Sequence, residues 1–368
     1  MKKETNRWVV LISSMGILLC TGIVYTFSVF AGPLAELRGW AVPDIMMAFA
    51  INSAVGPIPM IFGGFAQNFA YSACLSNTIR FFPDKKGLAS GLITGGMGGA
   101  AIIAAPIANT LIERYGVSQA FWRMGLAYAL IGFFFSLFIR SAPKQAVPQT
   151  AVASEKAPTK AITANKNWKE MLATPAFYLL ILMFAMGAFS GLMIASNASL
   201  IGQSMFGLSA SAAAAYVSLY SLSNTSGRVF WGAVSDRIGQ IRAVIIIYSA
   251  IIFAFVLLVS VNQVWAFAVG IVTLGLCFGG VMGVFPGLVM DNFGPANQGV
   301  NYGIVFIGFS SAAFVAPKVT ASLAAANNGD FTNAFYVAIA VVLIGLGLSL
   351  VYAKRKADAV EAAVETIQ

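Results

Sequence analysis

Long apolar runs separated by short polar breaks set the pattern of this chain. A bilayer core of about 30 Å takes about 20 apolar residues as a helix. A window of that length finds candidate spans at 8–30, 44–65, 88–111, 119–139, 175–200, 209–232, 243–262, 264–290, 299–324 and 331–353, with a shorter apolar piece at 66–82. Between 141 and 174 the pattern lapses into loosely ordered Ala, Pro, Lys and Thr, "APKQAVPQTAVASEKAPTKAITANKNWKEML". Such a stretch cannot bury an apolar face, so it reads as a disordered or weakly helical linker. The division is then an N-terminal helical bundle at 1–140, a linker at 141–174, a C-terminal six-helix bundle at 175–353 and a polar tail at 354–368.

The first half falls short of six spans. Residues 44–82 form one apolar stretch with Pro57, Pro59, Gly63 and Gly64 inside it. At about 1.5 Å per residue it would run about 58 Å as one helix, too long for a straight crossing. Two spans with a turn at Gln67–Asn68 fit the length but carry Arg80, Lys85 and Lys86 to the opposite face from the other basic loops. One broken or strongly tilted passage keeps them together. The pattern leaves both paths open.

Composition settles the class. Hydrophobic residues make up 59% of 368 and charged residues 10%, with a mean hydropathy of +0.82. A soluble domain carries about 25% charged residues, so most of this surface must face lipid. The net charge of +9 does not point to nucleic acid. Seventeen of the 22 lysines and arginines gather in the N-terminus, the 80–86 segment, the linker, the 237–242 segment and the 354–356 tail. The positive-inside rule places such clusters on the cytoplasmic face, which predicts cytoplasmic N- and C-termini in a multi-pass inner-membrane protein. The first run is too long for a signal-peptide core and lacks a small-residue cleavage pattern, so it reads as a retained span. Cys20, Cys74 and Cys277 lie in apolar runs and read as packing residues.

The chemistry is sparse. There is no histidine, and none of the thirteen acidic residues falls at the middle of a span. A proton relay, a catalytic pair and a metal cluster therefore have no candidates, and an enzyme, a resident metal and a cofactor are not expected. Gly91, Gly95 and Gly99 repeat at i, i+4, i+8, a small-residue stripe for close helix packing. Lys318 falls near the outer end of its span and reads as a rim lysine. Arg228 is the exception within "SLSNTSGRVFWGAVSDRIGQIR" (221–242), because it sits about one turn and a half inside a span. A buried arginine costs about 2.5–3.5 kcal/mol on insertion scales. Two readings stand: snorkelling to the near surface, or meeting an anion with a planar fork of donors. The polar face made by Ser223, Asn224, Thr225 and Ser226 favours the second.

Trp231 precedes Gly232-x-x-x-Asp236-Arg237-x-Gly239-x-x-Arg242, which resembles the cytoplasmic loop signature of the major facilitator superfamily, with Gln240 in place of a second basic residue. It reads as a charged latch, in which Asp236 caps a helix start or pairs with a cation across the two halves. "VYTFSVFAGPL" (24–34), "FAYSACLSNTIRFFPDKKGLASGLITGGMG" (69–98), "SLSNTSGRVFWGAVSD", "FGGVMGVFPGLVMDNFG" and "NQGVNYGIVFIGF" are similar to helices of the oxalate:formate antiporter family. The resemblance implies an all-α membrane protein of two bundles, with about 10–11 helices instead of 12. Relative to the family, roughly forty residues are absent between Phe65 and Phe69, including the first copy of the loop signature.

For the site, the resemblance implies that Arg228 holds a substrate carboxylate and that Tyr25, Tyr71 and Phe285 line the pathway. Oxalate-specific members carry a lysine at the position that matches Phe309. With one central cation, a monocarboxylate such as formate, lactate or pyruvate is expected in preference to oxalate. The expected function is secondary exchange of small organic anions by alternating access, by a monomer in the lipid bilayer that binds no nucleic acid. The alternative is a transport-inactive relative, or a receptor that binds the anion without moving it.

Overall fold

The computed structural model describes residues 6–22, 27–39, 58–142 and 165–365, and among these it contains helices and turns and no strand. The helices are α1 (Arg7–Thr21), α2 (Phe27–Arg38), α3 (Ile58–Phe81), α4 (Lys86–Ser136), α5 (Trp168–Leu172), α6 (Pro175–Phe206), α7 (Ala210–Ile238), α8 (Gln240–Ser260), α9 (Val264–Phe293), α10 (Gln298–Val305), α11 (Ile307–Ala326) and α12 (Thr332–Glu365).

Local chemistry sets the boundaries. The Asn6 side chain accepts from the Trp8 N–H at 3.0 Å and starts α1, as N-cap residues do. Asn167 and Glu170 form a reciprocal capping box around α5. Gly239, at φ 89° and ψ 145°, is the whole turn between α7 and α8. Only glycine adopts that backbone without strain. The polar segment expected at 233–242 is therefore mostly helix. Gly116, at φ 77° and ψ 165°, divides α4 into two antiparallel limbs, so the gap expected at 112–118 is a single kink. The tail expected after 353 continues as helix to Glu365. The first span is shorter than expected, α1 ending at Thr21.

The basic clusters meet at one end of the molecule. Arg7 pairs with Asp84 at 2.8 Å and lies over the Phe82 ring. The Asn77 side chain donates to the Arg140 carbonyl and accepts from the Ala142 N–H, both at 2.8 Å. The Lys166 N–H donates to the Phe293 carbonyl at 2.9 Å. The starts of α1 and α4 and the ends of α3, α4 and α9 thus share one face. Helix α3 passes unbroken through Gln67–Asn68 and brings Arg80 to this basic end. The turn at Gln67–Asn68 is excluded, and the part of 44–82 that precedes Ile58 lies outside the described residues.

After the linker come α6, α7, α8, α9, the α10–α11 pair and α12, where six spans were expected. Among the described residues six helices are long and apolar enough to cross a membrane by length and composition, counting the two-limbed α4 and the joined α10–α11 each as one. Helix α7 is not among them. It carries Ser223, Asn224, Thr225, Ser226 and Arg228, of which Ser223, Asn224 and Arg228 are buried against its neighbours while Ser226 is exposed. Two glycine stripes allow this. A Cβ on Gly91 would be driven into the Arg228 carbonyl, and one on Gly279 into the Asn224 carbonyl. A Cβ on Gly283 would come to 2.6 Å from the Arg228 carbonyl. Between apolar helices in lipid, burial from water supplies little drive, so close backbone approach of this kind carries the packing.

Candidate functional site

Arg228 is 3% exposed. Snorkelling to the surface does not describe it. Its Nε donates to Asn224 Oδ1, one turn back on α7, at 3.2 Å. Its Nη1 donates to the backbone carbonyl of Thr94, on α4 in the other half, at 2.6 Å. Nη2 makes no hydrogen bond among the described residues. The guanidinium rests on Gly98, where a Cβ would come to 3.0 Å from Cζ and 3.1 Å from Nε. No carboxylate forms an ion pair with it among the described residues. This is a buried cation neutralised only by carbonyl dipoles, an arrangement that favours a visiting anion.

Other donors surround it. Asn224 turns its oxygen to Arg228 and leaves Nδ2 buried without a partner. Tyr302 on α10 and Tyr220 on α7 lie within electrostatic range of Arg228. The Tyr220 hydroxyl is committed to the Gly191 carbonyl at 2.7 Å. The Tyr302 hydroxyl lies 3.5 Å from that of Tyr71 on α3, so this pair also bridges the two halves.

The other expected site residues fall in different places. Tyr25 lies outside the described residues. Phe285 is fully buried inside the second half and stacked on Phe184 at 4.6 Å. Its ring is thus part of an aromatic core and does not face an open pathway in this state. Phe309 belongs to the same cluster, 4.7 Å from Phe306 and 6.1 Å from Phe184. Gly91, Gly95 and Gly99 all face α7, where a Cβ on Gly99 would come to 3.3 Å from the Thr225 side chain. Lys318 is exposed and its ammonium lies 3.9 Å from the Phe314 ring centroid.

The expected latch residues separate into two groups. Asp236 accepts from the Gly87 and Leu88 N–H groups at 2.7 and 2.8 Å, capping the start of α4 from the opposite half. This is charge on a helix N-terminus. Asp236 lies beyond the last apolar turn of α7. Burial raises its carboxyl above the usual carboxylate range, while those two N–H donors pull it back. Gly232 and Gly87 face each other with no room for a side chain on either. Beside them Lys86 pairs with Asp291 at 2.9 Å. Arg237 and Arg242 are exposed and form no ion pair among the described residues. Gly239 supplies the turn.

Sequence reasoning missed three participants. The Thr94 carbonyl is a backbone group and leaves no trace in residue type. Gly98 sits within "GGMGG" and was hidden by its neighbours' regular spacing. The Gly275, Gly279 and Gly283 stripe on α9 repeats the i, i+4, i+8 spacing of α4 and was legible by the same rule.

The site lies between two helical bundles, with a buried cation at their junction. A family model of the Major Facilitator Superfamily matches residues 6–317 and 206–366. The chain is 30% identical over 352 residues to an uncharacterized MFS-type transporter, YhjX, of Escherichia coli (strain K12), covering 83% of this chain and 85% of that one. It is 25% identical over 391 residues to an oxalate:formate antiporter of Oxalobacter formigenes, covering 94% and 91%. Both alignments are longer than the part of this chain they cover, so about 45 positions in each have no counterpart here. Among solved structures, the human organic anion transporter MFSD10 (TETRAN) aligns at a TM-score of 0.60 with 15% identity, over 92% of this chain and 84% of that one. FucP in its outward conformation aligns at 0.55 with 13% identity, over 95% and 90%. These likenesses agree on one fold, and the chain belongs to the Major Facilitator Superfamily.

Proposed function

We propose that this chain is a secondary transporter that exchanges small carboxylate anions, with Arg228 as the group that meets the carboxylate. The observation that carries the reading is the buried guanidinium with one nitrogen uncommitted and no ion-paired carboxylate among the described residues. A carboxylate would satisfy Nη2 and neutralise the charge, with Asn224 Nδ2 a second donor close by. Fully buried positive charge favours a monovalent partner when no second cation stands beside it. Formate, lactate and pyruvate are therefore preferred over oxalate, and the aromatic Phe309 stands where a second cation would be needed. The basic end is cytoplasmic in this reading, and a single chain carries the site.

Counterflow of labelled formate, lactate, pyruvate and oxalate in proteoliposomes tests the proposal. Uptake that depends on internal anion is expected, lost in Arg228→Gln and Arg228→Lys while both variants stay monodisperse. Unchanged transport in either variant removes Arg228 from the mechanism. One observation favours a second reading: about 45 aligned positions of each curated relative have no counterpart in this chain. A protein that binds these anions without moving them would show ligand-dependent thermal stabilisation and no counterflow.

A further inference from the structure

We infer that the Thr94 carbonyl and Gly98 form a parking place for the Arg228 guanidinium, which ties the two halves together when no anion is bound. The inference rests on the proposed role of Arg228 and adds the reason why exchange would be coupled.

Besides the Tyr71–Tyr302 hydroxyl contact, four ties join the halves among the described residues. Asp236 caps α4, Lys86 pairs with Asp291, Ser72 donates to the Gly299 carbonyl at 3.1 Å, and Arg228 donates to the Thr94 carbonyl at 2.6 Å. The first three use groups that have no part in meeting substrate. The fourth uses the substrate's own partner. Thr94 O is a neutral acceptor, and a carboxylate is a charged one whose hydrogen bonds are roughly twice as strong. An arriving carboxylate therefore outcompetes the parking carbonyl for the fork. A carboxylate that meets the uncommitted Nη2 draws the fork towards itself and off the Thr94 carbonyl.

Occupancy then decides mobility. The empty protein is tied across its halves by Arg228 and resists rocking. The loaded protein has given that bond to its substrate and turns against one tie fewer. A carrier that reorients only when loaded exchanges one anion for another and does not leak net flux. Gly98 is a positioning residue in this scheme, since it touches the guanidinium and not the substrate. Its missing Cβ is what lets the fork lie flat against α4.

Gly98→Ala and Gly98→Val test the tie. Proteoliposomes loaded with labelled formate, lactate, pyruvate or oxalate are diluted either into the same anion or into anion-free buffer. The tie predicts that net efflux rises relative to exchange by roughly tenfold in Gly98→Val, about the worth of one charge-assisted hydrogen bond, and by less in Gly98→Ala. If Gly98 only packs helices, both fluxes fall together and their ratio stays put, which overturns the inference. A second arm needs no transport. Spin labels at the exposed positions Lys85 and Lys354, one in each half at the basic end, report the distance between halves in the empty protein. A single short population in the parent and a new longer one in Gly98→Val are expected. An unchanged distribution overturns the tie whatever the fluxes do. Absence of flux for all four anions, with a distance that still responds to Gly98, would sink the carboxylate reading and keep the tie.

Discussion

Two helix starts at the basic end are built from similar sequence and held in different ways. Helix α4 opens with "KGLASGLIT" (86–94) and α10 with "QGVNYGIVF" (298–306), each with glycines at the second and sixth positions. At α4, Asp236 from the opposite half caps the free N–H groups, and Gly91 is pressed against α7. At α10 no side chain caps the helix. Ser72 bonds a carbonyl there, and Gly303 has nothing within 4 Å. The capping carboxylate belongs to the loop signature at 232–242. The comparison teaches that two similar helix starts are fastened unequally, α4 by a carboxylate from the opposite half and close backbone packing, α10 by neither.

Breaking the α4–α7 junction at its centre has the largest expected effect. Arg228→Gln should reduce counterflow about a hundredfold or more, because it removes a buried charge that both the anion and the Thr94 carbonyl use. Loss of exchange without loss of monodispersity is the outcome to look for. The paired glycines sharpen the contrast next. Gly91→Ala forces a methyl into a backbone carbonyl and should destabilise the purified protein by about 1–3 kcal/mol. Gly303→Ala meets open space and should be neutral or slightly stabilising. Equal melting shifts for the two would mean that both junctions are equally packed.

The latch comes third. Asp236→Asn keeps the shape but loses the charge on the α4 terminus, and should cost about 1 kcal/mol in thermal melting. Arg237→Gln, which touches no ion-pair partner among the described residues, should change stability by less than about 0.5 kcal/mol. The smallest effect is one of selectivity. Phe309→Lys puts a second cation into the aromatic cluster of the second half, and if that position serves selectivity, competition assays should show oxalate gaining on formate by about tenfold. A variant that prefers formate as before would remove Phe309 from selectivity.

The helices of the second half were largely legible, because all but the polar α7 are long apolar runs and glycine turns mark the ends at Gly207, Gly239 and Gly294. The helix-capping role open to Asp236 was also legible, since a lone carboxylate near a helix end has few uses. The path through 58–81 was not. Its prolines and glycines read as breaks, yet the backbone passes Gly63, Gly64 and Gln67 as one helix. Hydrophobic pattern alone cannot tell a turn from a tolerated glycine when both flanks are apolar. The partners of Arg228 were hidden for another reason. A backbone carbonyl has no letter in the sequence, and Phe285 looks identical whether it faces a pathway or packs on Phe184.

Counterflow of labelled formate, lactate, pyruvate and oxalate in proteoliposomes, run side by side with Arg228→Gln, tests the central claim most directly. Internal-anion-dependent uptake in the parent, strongest for a monocarboxylate and absent from the variant, is the predicted result. No uptake from folded, monodisperse parent protein, or equal uptake by the variant, would contradict it.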